Sequence, residues 1–128
     1  MRWNVYLSGL GGVVFFTRPS RRAGRGLRGP EPYRGNRLRL SAEIRSEDAI
    51  QGGRLWMRVD GPKEPLAFDN LGEHPIRGTT GWNRYQIVLD VAPSARSIVF
   101  GVMVYAQGRV FFRDVNLETV DASVETTD

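Results

Sequence analysis

Three apolar runs of strand length crowd residues 81–120: GWNRYQIVLDV, SIVFGVMVYA and RVFFRDVNLETV, with punctuation between them in place of helices. In the first, alternation sends Tyr85, Ile87, Leu89 and Val91 to one face and Arg84, Gln86 and Asp90 to the other. The five residues APSAR then break the chain, because proline offers no donor to a ladder. Residues 98–105 are apolar on both faces, the pattern of an interior strand. Gln107-Gly108 follows at two-residue hairpin spacing, so the three runs read as an antiparallel meander.

The same texture begins at Tyr33. Residues 37–45 alternate with Leu38, Leu40, Ala42 and Ile44 inward and the arginines outward. Residues 46–53 read as a connection with one helical turn after a Ser46 cap. Residues 54–60 alternate again, with Leu55, Met57 and Val59 opposite Trp56, Arg58 and Asp60. A turn, a short edge strand at 65–69 and a long loop at 70–80 follow, and long loops on β scaffolds often carry function. No stretch has helical periodicity, and the acidic tail 121–128 is expected to fray. The fold expected is an all-β, antiparallel jelly-roll-type β-sandwich over 33–120, preceded by a poorly ordered basic segment, 1–32.

Charge separates those parts. Residues 1–36 hold seven arginines against one acid, a net of +6, while the remainder holds 11 basic and 13 acidic residues, a net of −2. The basicity is that of an arm, not of a domain. Its pattern at 24–29 formally matches GxGxxG, but Pro30 and Pro32 stand where a phosphate-binding helix would begin, so it is read as chance. Nucleic acid is therefore not the expected partner. Residues 1–17 fail as an export signal or membrane span, being short and interrupted by Asn4, Tyr6 and Ser8. Two short strands, at 3–7 and 13–17, joined as a hairpin, fit them better, and the cytoplasm is the default location. The absence of cysteine excludes disulfides, thiolate zinc sites and a thiol nucleophile.

Trp82-Asn83-Arg84-Tyr85 entering a strand, followed by Gly108-Arg109-Val110-Phe111-Phe112-Arg113-Asp114-Val115-Asn116-Leu117, resembles the closing strands of jelly-roll carbohydrate-binding modules and galactose-binding-like domains. With LWMRVDG, LAFDN and HPIRGTTGWNRY, the set is similar to a version of that sandwich found as an accessory domain in bacterial proteins, including transcriptional regulators. The resemblance implies a non-catalytic module whose ligand is a carbohydrate or related polyhydroxylated molecule. Its alternative is an accessory or sensor domain of a regulator that works through protein contacts. It also implies a structural calcium near Asp114, a weak candidate, because Arg113 stands where the family carries the first aspartate of a pair; no other cofactor is expected.

A sugar site needs a flat aromatic for C–H stacking and charged or amide partners for hydroxyls. Trp56, Arg58 and Asp60 form the leading group, joined by Arg39 and Arg84 from neighbouring strands and by Asp69, Asn70 and Arg77 of the long loop. Against this stands a covered outer-face indole with Arg58 held in an ion pair. Trp82 and Tyr85 read as structural, closing one end of the sandwich. Catalytic sets are thin: Glu73 and His74 with a serine, or Asp60 with Asp69 in the manner of a glycosidase. An enzyme is not expected.

Overall fold

The computed structural model describes residues 5–8, 13–17 and 31–128, the first two segments and Glu31 by backbone alone. The glycine pattern at 24–29 and the arginine arm, with its expected poor order, lie outside the described residues. Among the described residues, seven strands and one short 3-10 turn (Glu31–Tyr33) make up the architecture: β1 (Val5–Ser8), β2 (Val13–Thr17), β3 (Arg37–Asp60), β4 (Pro65–Asp69), β5 (Ile76–Asp90), β6 (Ser97–Val104) and β7 (Arg109–Val120). Every pairing is antiparallel.

β3 organises the molecule. Its first half lies between β5 and β7, and its second half pairs with β4 and β6. The strand is continuous for 24 residues, where the sequence suggested two strands and a helical turn. The bend between its halves is a run of register shifts against β5, with positive φ at Asp48 (51°) and Gly52 (97°). Such bulges insert unpaired residues and turn the strand, so the buried face changes from even-numbered residues (Leu38, Leu40, Ile44) to odd-numbered ones (Leu55, Met57, Val59). The bend needs no helix because Thr79 and Thr80 satisfy it: Ser46 N donates to Thr80 Oγ1 (3.1 Å) and Asp48 N to Thr79 Oγ1 (3.0 Å). Those threonines belong to β5, which shortens the expected 70–80 loop to 70–75.

The expected meander is not formed. β5, β6 and β7 pair with β3 and not with one another, so successive strands cross between the two sheets. Gly108 (φ 117°) sits in one such crossing, pressed so closely on the β3 bend that a Cβ there would lie 2.6 Å from the Asp48 carbonyl oxygen. The two N-terminal strands likewise form no hairpin: β1 pairs with β7 and β2 with β6, extending both sheets. Between the sheets a single core joins residues of both, with Phe100 and Phe112 its largest side chains.

The acidic tail is not frayed. Leaving β7, it crosses the outer face of the β5–β3–β7 sheet, where Arg37 Nη1 donates to the carbonyls of Ala122 (3.0 Å) and Val124 (2.6 Å). It ends on the free edge of β5: Thr127 N donates to Val88 O (2.9 Å) and Val88 N to Thr127 Oγ1 (3.0 Å).

Candidate functional site

The seven candidate residues fall in separate places. Trp56, Arg58 and Asp60 lie on the outer face of the second β3 half, as alternation requires, yet the indole is only 4% exposed. Its cross-strand neighbour is Gly101. A ring so covered offers no stacking surface. Arg58 is held by Asp60 through two bonds (2.7 and 3.1 Å). Asp69 pairs in register with Met57, so it points to the core side of the sheet, away from Asp60, and the two carboxylates form no glycosidase pair. Arg77 stands exposed at the start of β5, and Arg84 lies on the outer face of the other sheet.

Asp69 and Asn70 line a shallow cleft of about 510 Å³ with Leu71, Gly72, Glu73, His74 and Thr127. Asp69 Oδ1 accepts from Leu71 N (3.1 Å), fixing an Asx turn, while its Oδ2 is enclosed with no hydrogen-bond partner among the described residues. The cleft has hydroxyl-binding chemistry but no aromatic ring. Among the described residues no three acidic or histidine side chains converge on a point. Asp114 occupies a bulge in β7 with φ 53°.

The outer face of the β5–β3–β7 sheet is built differently. Trp82 is exposed (36%), not closing the sandwich as expected; Tyr85 does pack against the core. The guanidinium of Arg113 lies 3.9 Å from the Trp82 ring centroid and that of Arg45 lies 3.8 Å from Phe111, each cation held over the ring's negative face. Carboxylates fix the same guanidiniums: Glu43 accepts from Arg113 and Glu47 from Arg45, both at 2.9 Å. Glu47 is held below the usual carboxylate range, chiefly by its bond from Arg45. Below this aromatic end, Ser41 lies between Gln86 and Asn116 in register and accepts from Arg84 Nη2 (2.9 Å). The tail bounds the far end. The result is an exposed ring followed by amides, carboxylates and guanidiniums on three rigid strands.

Sequence parity contained this signal. Trp82 shares its register with Arg84 and Gln86, so the alternation that put those two outside put the indole there too.

No family model matches the chain. An uncharacterized HTH-type transcriptional regulator of Bacillus subtilis (strain 168), YbfP, is 46% identical over 96 residues, which is 74% of this chain and 32% of the regulator. The chain thus spans about a third of the curated relative it matches. Among solved structures, the CBM22-1 xylan-binding domain of Paenibacillus barcinonensis Xyn10C superposes with a TM-score of 0.54 at 11% identity, covering 91% of this chain and 86% of that domain. The chain has the fold of a carbohydrate-binding module. A second likeness is the enzymatically active domain of tailspike protein 4 from bacteriophage CBA120 (TM-score 0.57, 11% identity, 93% of this chain and 19% of that one). At these identities the likeness is one of fold. The module-like sandwich of this chain corresponds in sequence to part of a regulator, as an accessory domain does.

Proposed function

We propose that this chain is a non-catalytic, carbohydrate-binding accessory domain of a bacterial HTH-type regulator, cytoplasmic like the DNA such a regulator reads. We place its binding surface on the outer face of the β5–β3–β7 sheet. The observation that carries this reading is Trp82, an exposed indole on a strand, followed along one face by Arg84 and Gln86 with Asn116 across the sheet. Stacking on the ring and hydrogen bonds to hydroxyls are the two contacts a saccharide needs. The fold supports the reading without fixing the ligand, since one sandwich serves many functions. Titrating the protein with xylo-oligosaccharides and with hexose and uronate oligosaccharides, followed by tryptophan fluorescence, tests it. Binding should perturb the Trp82 signal and disappear in Trp82→Ala; binding that survives the substitution unchanged would remove this face as the site.

A second reading, contact with a protein, is favoured by Leu66 and Phe68. They lie side by side on the outward face of edge strand β4, 39% and 46% exposed. It predicts that Phe68→Lys weakens association with the remainder of the regulator and leaves saccharide binding intact.

A further inference from the structure

The face around Trp82 collects six of the arginines: Arg37, Arg39, Arg45, Arg84, Arg109 and Arg113. Five are paired with four carboxylates: Arg37 with Asp90 (2.7 Å), Arg39 with Glu118 (3.2 Å), Arg45 and Arg109 sharing Glu47 (2.9 and 3.4 Å), and Arg113 with Glu43 (2.9 Å). Arg84 is the exception: among the described residues no carboxylate reaches it, and its one bond is to the buried hydroxyl of Ser41. Its cross-strand neighbour is Glu43, which is turned instead to Arg113. Arg113 in turn lies on Trp82, so the ring contact and the ion pair together hold Glu43 away from Arg84.

A guanidinium has five donors in a planar fork, and Ser41 occupies one nitrogen while fixing the plane. The remaining donors match a two-oxygen anion bidentately. Arg84 sits two residues from Trp82 on an exposed strand, a separation of about 7 Å, within reach of the exocyclic group of a sugar that meets the exposed part of the indole. A neutral ligand covering the same place would bury an uncompensated cation, which is costly and selects against it.

We propose that the saccharide bound on this face carries an anionic group, a carboxylate or a phosphate, taken by Arg84 while the sugar ring lies on Trp82. The inference rests on the assignment of this face as a saccharide site. Calorimetric titration of the intact chain with three probes tests it: a uronate oligosaccharide, a hexose phosphate and a neutral xylo-oligosaccharide. One of the two anionic probes should bind roughly tenfold or more tightly than the neutral one, and which of them does so identifies the anion. Arg84→Gln should abolish that preference, and Arg84→Lys should keep part of it. Arg109→Gln, which removes a charge from the same face, should leave the preference intact. Equal affinities for all probes, or a preference that survives Arg84→Gln, would overturn the inference and leave the saccharide site standing. Failure of every probe to bind would remove both.

Discussion

Trp56 and Trp82 have opposite environments produced by the same period-two rule. Both project from the outer face of a sheet, but Trp56 is 4% exposed, whereas Trp82 keeps 36% of its surface exposed beside the guanidiniums of Arg113 and Arg45. Replacing a buried indole leaves a cavity, so Trp56→Ala is expected to cost about 3 kcal/mol or more of stability, measurable by chemical denaturation. Trp82→Ala removes two exposed cation–π contacts, from Arg113 at 3.9 Å and Arg45 at 5.6 Å, each worth roughly 0.5–1 kcal/mol at most. Alternation reveals which side of a strand a residue takes; it does not reveal what lies over that side. The choice between the two indoles was therefore invisible locally, since exposure is set by what the rest of the fold lays over each ring, for Trp82 arginines from two other strands. A like limit applies to Arg84, whose outward direction was legible while its lack of a carboxylate was not.

At the scale of elements, the readable and unreadable parts divide at β3. Each half announces itself by alternation, but their union into one bent strand depends on Thr79 and Thr80 capping the bend, a contact between segments more than thirty residues apart. Short apolar runs in sequence give the strands; which sheet each enters is set by long-range pairing, and this is why the apparent meander is instead a set of crossings. The tail is a further case, because a polar acidic segment reads as solvated until Arg37 and the β5 edge are in place. Its attachment is expected to weaken in acid. The bond from Arg37 holds Asp90 below the ordinary carboxylate value of 3.8, and the backbone N–H of Ser123 does the same for Asp121. A carboxyl depressed in the folded state contributes its stability above the unfolded value and loses it as pH falls toward the folded one. Arg37, raised by Asp90, stays charged throughout. Amide exchange at Thr127 N, protected by Val88 O, should accelerate as pH drops below about 4 relative to core amides, after correction for intrinsic exchange. Asp90→Asn should bring much of that acceleration to neutral pH; protection unchanged in the variant would show that the tail holds without the ion pair.

For the whole molecule, the proposed surface is the outer side of a sheet whose inner side is the core. Because β3 runs through both sheets, the site cannot come apart without the sandwich, and ligand binding is linked to global unfolding. A ligand at a hundredfold excess over its Kd stabilises the native state by about 2.7 kcal/mol, which for a domain of this size raises Tm on the order of ten degrees. The two tryptophans should then separate cleanly in a thermal-shift series. Trp82→Ala should keep nearly the parent Tm without ligand and show no ligand-induced rise. Trp56→Ala should begin many degrees lower and still rise when ligand is added. The reverse result, with the shift lost in Trp56→Ala and kept in Trp82→Ala, would move the binding surface to the opposite face of the sandwich, since only a covering that opens on binding would let an indole this buried reach a ligand.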